Sequence, residues 1–315
     1  MVKYLLKRLS LMVVTLFVIA TATFFLMNSM PGNPVTSQAK KLPAEVAKNM
    51  EIKYGLDKPV TERYVIYLKN LIKGDLGDSF VTPGISVNDK LKDNFPPSVR
   101  IGLQSVAFGL IVGVLLGVIA GFKRETPIDY VVMFIAILGV SIPSFVLATL
   151  IQLTFGGKGG IPIAGWYDPS TPFFQQMKYV ILPTLALSFG GIATYARYMR
   201  ASVLEVISQD YILTAKAKGL SSFAISVKHI LRNAILPIIT ILGPQIATII
   251  TGTVVIERIF AIPGIGNALI DAIYAKDYNI IMGLTVFFSA LYILSILIVD
   301  ILYSVIDPRI KLEGK

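Results

Sequence analysis

The sequence predicts an all-α polytopic membrane protein with six helical spans. Three observations carry that expectation. Of 315 residues, 54% are hydrophobic and only 15% are charged, whereas a soluble domain holds about 25% charged residues. Six apolar runs approach or exceed the ~20 residues that a helix needs to cross a bilayer. They are Leu9–Met30, Val99–Gly121, Ile128–Phe155, Tyr179–Tyr198, Ala234–Ile256 and Ile280–Tyr303. The basic residues, finally, divide unevenly between the segments that join these runs.

The first run follows Lys3, Lys7 and Arg8. It is too long for the apolar core of a signal peptide and no A-x-A-like cleavage site follows it, so a retained span is expected. Between the first and second runs lies a long polar insert, residues 31–97. Within it Thr61–Ile72 has the period of an amphipathic helix, with Tyr64, Tyr67, Leu68 and Leu71 on one face. Glycine-rich turns flank that helix at Tyr54–Pro59 and Gly74–Asp78. About 65 residues bury only a marginal core of their own. The insert is therefore expected to pack on the span ends, either as a structural cap or as a landing surface for an extracellular partner. In the fourth run Pro183 and Gly190–Gly191 are interruptions, which a bundle tolerates when neighbouring helices serve the freed backbone groups.

Lys and Arg collect in cytoplasmic loops. With the N-terminus inside, the inner segments carry 14 basic residues and the two short outer loops carry four. The long insert holds ten, balanced by eight acids, and segments of that length translocate largely regardless of charge. Both termini are thus expected in the cytoplasm. The net charge of +10 reads as this topological bias and not as nucleic-acid binding.

Between the fourth and fifth runs lies Asp210–Pro237, a polar, basic segment. Asp210 is a candidate N-cap. Gly219 suits a helix end, because it adopts positive φ without a Cβ penalty. Ser221 or Ser222 can cap a second helix, with Phe223, Val227 and Leu231 along one face. The expectation is helix, glycine turn, helix. The small Ala215 and Ala217 would let another protein approach, and Lys216 and Lys218 would meet its acids or sit at lipid headgroups. From these residues alone, a surface linker and a docking helix are equally good readings.

The chain has no cysteine and one histidine, His229. Disulfides, iron–sulfur clusters and thiolate metal sites are excluded, and a lone histidine makes no metal site of several ligands. No Walker A, G-x-S-x-G or H-E-x-x-H pattern is present, so no catalytic residue and no metal ligand is assigned. Arg100, Glu257 and Asp300 lie near span ends and read as snorkelling or helix-positioning residues, and no acid sits convincingly at mid-membrane as an ion-coupled transporter would require. Gln104, Gln152 and Gln245 could line a pathway or serve as interhelical hydrogen bonds.

The segment Leu213-Thr214-Ala215, then Gly219, then His229-Ile230-Leu231-Arg232 resembles the EAA loop of ABC import permeases, matching its general pattern at Ala215, Gly219 and Leu231. The departures, Thr214-Ala215-Lys216-Ala217-Lys218-Gly219-Leu220 followed by His229-Ile230-Leu231-Arg232-Asn233-Ala234, resemble the B-type subunit of oligopeptide, dipeptide and nickel permeases. The likeness continues through Met30–Pro34, Tyr54–Pro59, Gly74–Ser79, Ser141–Phe145, Glu257–Phe260, Pro263–Gly266, Asp277–Tyr278 and Asp307–Ile310.

The resemblance implies a type I ABC importer permease fold over residues 1–315, with the core bundle at 99–306 and a coupling loop at 208–232. It implies that Thr214, Ala215, Lys216, Ala217, Lys218, Gly219 and Leu220 couple to an ATPase, with bulk at Ala215 or Gly219 obstructing the fit. Its implied partners are a second, C-type permease subunit, two cytoplasmic ATPase subunits that bind ATP and Mg, an extracytoplasmic peptide-binding protein and membrane lipid, in a bacterial cytoplasmic membrane. This subunit itself would hold no cofactor. Oligopeptides are the expected cargo, with dipeptides or nickel as alternatives.

Overall fold

The computed structural model describes residues 2–30, 45, 49, 52, 55–242 and 254–306. The described residues form helices and turns, with one isolated antiparallel bridge between Asp78 and Ser86. The helices are α1 Val2–Ser29, α2 Val60–Ile72, α3 Val87–Phe122, α4 Pro127–Ser141, α5 Ser144–Phe155, α6 Phe173–Ile207, α7 Asp210–Ala217, α8 Ser222–Leu242, α9 Val254–Ile259, α10 Ile265–Ala275 and α11 Tyr278–Ile306. Among the described residues five helices are long and apolar enough to cross a membrane, and α4 with α5 makes a sixth if the bent pair counts as one span.

The third apolar run is therefore not one straight helix. It breaks between Ser141 and Ser144 with a bend of 108°. Pro143 explains the break, because it disfavours helical backbone at the residue before it, and Ile142 is extended at φ −84°, ψ 122°. The fourth run behaves in the opposite way. Despite Pro183 and Gly190–Gly191, α6 is continuous for 35 residues. The second helix begins earlier than its apolar run, at Val87, and runs through Pro96 and Pro97. Those prolines leave the carbonyls of Lys92 and Asp93 without an amide, and both residues are exposed, where water can serve them. The middle of the fifth run lies outside the described residues.

By contact the chain divides into two units. One comprises residues 1–98, 263–297 and 307–315, the other 99–262 and 298–306. In the first, the Tyr64 and Tyr67 face of α2 packs on α1. Phe24 stacks on Tyr67 with centroids 5.3 Å apart, and the Tyr64 hydroxyl meets Thr21 Oγ1 at 2.7 Å. Two stretches of the expected family pattern come together here. Asp277 caps the start of α11 and is buried. It accepts bonds from Ser79 Oγ and from the Phe80 amide at 3.1 Å, while Asn279 Nδ2 donates to the Asp78 carbonyl at 2.9 Å. The turn after α2 is thus fastened to the head of α11.

In the second unit α3 lies against α6 along a row of glycines one turn apart. A Cβ at Gly109 would lie 3.3 Å from the Ser188 carbonyl. At Gly113 it would lie 2.8 Å from the Ile192 carbonyl, at Gly117 2.5 Å from that of Ala196, and at Gly121 2.7 Å from Val203 Cγ1. Small residues let helix backbones approach this closely in a membrane, where van der Waals packing drives association. Two larger apolar cores and a smaller one around Ala120, Val132 and Ala196 lie in this unit. Of the larger two, one gathers Ile101, Val180, Ala186, Ile256 and Phe260, and the other Tyr195, Met199, Val203, Ile212, Ala215, Ile225 and Ile230.

Candidate coupling site

The polar segment after α6 is built by local rules. Gln209, at φ −78° and ψ 144°, precedes the helix, so Asp210 is the first helical residue and not the cap. An acid in the first turn is favoured by the helix dipole. At the other end Gly219 takes φ +75°, its amide donates to the Lys216 carbonyl at 3.0 Å, and the Leu220 amide donates to Ala215 at 3.3 Å. These two bonds are a Schellman ending, which a left-handed residue permits. Ser221 then caps α8, its Oγ accepting from the Ala224 amide at 3.3 Å.

α8 opens with one α-helical turn and passes into a π-helical stretch, Ser226–Leu231. The π period replaces the expected face of Phe223, Val227 and Leu231. Its buried positions are Ile225 and Ile230, five residues apart, followed by Ala234. Phe223 is left 79% exposed. The Asn233 amide nitrogen lies 2.7 Å from the His229 carbonyl and 3.3 Å from the Tyr211 hydroxyl, joining α8 to α7. Among the described residues the His229 ring makes no hydrogen bond.

The seven residues expected to couple divide into two groups. Ala215 faces inward with Ile212, in the core formed by Met199, Val203 and Val206. Its small size serves the packing of α7 on the chain's own helices, which corrects the reading that it opens a surface to a partner. Thr214, Lys216, Ala217, Lys218, Gly219 and Leu220 are exposed. Leu213, 60% exposed, and Phe223 are exposed beside them in the chain. A Cβ at Gly219 would meet nothing within 4 Å, so within the chain its requirement is conformational, not spatial.

Two of the three glutamines lie among the described residues, and each meets groups of the chain itself. Gln152 Nε2 donates to the Ile163 carbonyl at 3.1 Å and the Ile259 carbonyl at 2.8 Å, tying α5 to the following loop and to α9. Gln104 Nε2 reaches Met177 Sδ at 4.0 Å, and its Oε1 is buried without a partner among the described residues. Gln245 lies outside the described residues, as do Asp307–Ile310, most of Met30–Pro34, and the Asp300 side chain. Arg100 is tied to side chains of its own unit, in keeping with a helix-positioning role. Arg100 donates to the Tyr167 hydroxyl and to Gln176 Oε1 at 2.6 Å, with its guanidinium 4.8 Å from the Tyr167 ring centroid. Glu257 is fully buried.

One part-buried pair was missed in the sequence. Arg200 on α6 grips Asp129 on α4 with two bonds, Nε to Oδ1 at 2.5 Å and Nη2 to Oδ2 at 2.7 Å. The Glu125 amide adds a third to Oδ2, at 3.0 Å. Asp129 is an acid near the start of an apolar run and its partner lies 71 residues on, so neither position signalled the other.

The family profile described as "binding-protein-dependent transport system inner membrane component" matches residues 113–312, and its N-terminal counterpart matches residues 1–101. The chain belongs to this family of transport system inner membrane components. Its relatives agree over their whole length. It is 46% identical to the dipeptide transport system permease protein DppB of Bacillus subtilis (strain 168), over 316 residues and all of both chains. It is 42% identical to the oligopeptide transport system permease protein OppB of Haemophilus influenzae, over 99% of this chain and 100% of that protein. Among solved structures it resembles the crystal structure of an amino acid ABC transporter with histidines, with a TM-score of 0.52 and 16% identity, over 71% of this chain and 95% of that one. The inner membrane component is thus an all-helical, multi-pass membrane protein with the type I ABC importer permease fold.

Proposed function

We propose that this inner membrane component is the permease subunit of an ATP-driven ABC importer of peptides, forming half of the translocation pathway. The observation that carries the reading is its full-length similarity to permease proteins named for oligopeptide and dipeptide transport. The α7–α8 turn supports a docking role in the same machine. It exposes Leu213, Leu220 and Phe223 along with Lys216 and Lys218, next to a helix seated in the chain's own core. Large exposed apolar side chains on a basic, capped element mark an interaction surface. An ATPase subunit is the partner that fits, since this chain carries no Walker A motif. A second permease subunit, two ATPases and an extracytoplasmic binding protein complete the assembly. The charge asymmetry of the loops supports an orientation with both termini and the α7–α8 turn in the cytoplasm and the 31–97 insert outside, as a cap or as a landing surface for the binding protein.

Reconstitution of the four subunits with the binding protein in liposomes tests this directly. ATP-dependent uptake of labelled peptides is expected, with peptides of two to eight residues and nickel compared side by side to fix the cargo. Uptake driven by an ion gradient without ATP would overturn the reading. Leu213→Asp with Phe223→Asp should leave the chain in the membrane and abolish co-purification of the ATPases. Undiminished co-purification would remove the docking role from this surface.

A further inference from the structure

We infer that Asp129 and Arg200 are a positioning pair that holds α4 in register on α6, so that α4 follows the displacement α7 receives from the ATPase. The inference rests on the docking role proposed above. Three observations lead to it.

The first is the route. Arg200 lies seven residues before the end of α6, about 10 Å along the helix at 1.5 Å per residue. Only Ser208 and Gln209 separate α6 from α7. Met199, Val203 and Val206 of this last stretch share one core with Ile212 and Ala215 of α7. The end of α6 and the coupling helix are therefore packed as one piece.

The second is the apolar character of the neighbouring contact. α4 meets α6 through Val132, Ala136 and Gly139, against Ala193 and Ala196. A Cβ at Gly139 would lie 2.8 Å from that of Ala193. Phe189 lies on the same contact, with its carbonyl 3.1 Å from that position, so the apolar packing sets how closely the helices approach but supplies no bond of fixed direction. A guanidinium held by both oxygens of a carboxylate has a fixed plane and direction. The Glu125 amide, with its residue at φ 60°, holds the carboxylate from the other side.

The third is energetic. The Asp129 side chain is 2% exposed and that of Arg200 27%. A buried ion pair is weak support for stability, since apolar residues of similar volume often replace it at no loss. Its best-attested use is to specify register. α4 also ends at the 108° break before Pro143, so it is joined to α5 by a bend and not by a continuous helix. Its position on α6 must be set by the contact itself.

The discriminating variant is D129L/R200M, which removes both charges and leaves none unpaired. In the reconstituted complex it is expected to assemble, to hydrolyse ATP, and to melt at or above the wild-type temperature. Peptide taken up per ATP hydrolysed should fall about tenfold or more, within the range of ordinary coupling energies between sites. Arg200→Lys keeps the charge but loses the two-pronged grip and should show a smaller loss of the same ratio. An unchanged ratio in D129L/R200M, an unchanged ratio in Arg200→Lys, or failure of D129L/R200M to assemble would each overturn the inference, the last by making the pair a plain structural support. If the wild-type complex shows no ATP-driven uptake, the transport reading itself fails and takes the inference with it.

Discussion

Replacing Gly117 by alanine puts a methyl group 2.5 Å from the Ala196 carbonyl oxygen and 2.7 Å from Met199 Cβ. Neither atom is the end of a flexible side chain. One is backbone and the other is fixed to it, so α3 and α6 must separate by roughly an ångström. Overpacking of this kind costs about 1–3 kcal/mol. Alanine regains up to about 1 kcal/mol of helix propensity over glycine, which leaves a net loss of about 0–2 kcal/mol. Gly190 supplies the control. It lies inside α6, and its added Cβ would meet only the Gly139 carbonyl, at 3.8 Å. Gly190→Ala should therefore be neutral or stabilising by up to about 1 kcal/mol from propensity alone. At about 2–4 °C per kcal/mol, the scale of soluble domains of 150–250 residues, the two alanine variants should melt several degrees apart, with Gly117→Ala the lower. The assay is the temperature at which half of the detergent-solubilised complex stays monodisperse on gel filtration. If Gly117→Ala melts at or above Gly190→Ala, the close approach of α3 to α6 is wrong.

Three further outcomes are expected. Gly219→Asn should preserve the α7–α8 turn, since asparagine tolerates positive φ, whereas Gly219→Val should destabilise that turn even without partners. Amide exchange in α7 reads the difference, and equal protection in the two variants refutes the conformational role. Asp277→Ala should remove the buried acceptor shared by Ser79 Oγ and the Phe80 amide, although Ser79 Oγ still accepts from the Val81 and Thr82 amides, and cost about 1–3 kcal/mol. Proteolysis should then cut faster around Ser79–Thr82, and an unchanged cleavage rate would show that the turn is held by something else. Burial pushes the Tyr67 phenol up to about 12 from an ordinary 10.0. Its folded value exceeds the unfolded one, so the unfolded chain loses this proton first and stability falls as pH rises from 10 toward 12. The difference in absorbance titration between wild type and Tyr67→Phe should show a tyrosine ionising in that window, and ionisation near 10 would contradict its burial.

The spans were legible because composition and run length are properties of the chain alone. So was the end of α7, since a glycine after a helical run has few other roles. What escaped was set by partners distant in sequence. Pro183 looked like an interruption, yet Leu182 and Pro183 sit buried in the middle of an unbroken helix. Ala215 looked like an opening for another protein because small size suits any close contact, and only the fold shows that the contact is with its own helices. The π turn in α8 moved the buried face from an i, i+4 series to Ile225 and Ile230, a shift that helical periodicity alone does not anticipate. Gln152 was polar in an apolar run for a reason that lies 107 residues away, at the Ile259 carbonyl.

These particulars converge on α6. One of its faces is locked to α3 by glycines that leave no room for a side chain. Another carries Ala193, Ala196 and Arg200 against α4, and its last turns share a core with α7. A force applied at Leu213 and Phe223 would enter α6 through that core. A backbone contact as tight as the one at Gly117 passes displacement on with little slack, because close-packed interiors barely compress. The apolar contact between Gly139 and Ala193 is close too, and the ion pair beside it adds bonds of fixed direction. On the proposed docking role, α3 would follow α6 through steric fit and α4 through charge. Widening the glycine row should then lower the melting temperature, while neutralising the ion pair should spare it and reduce transport per ATP.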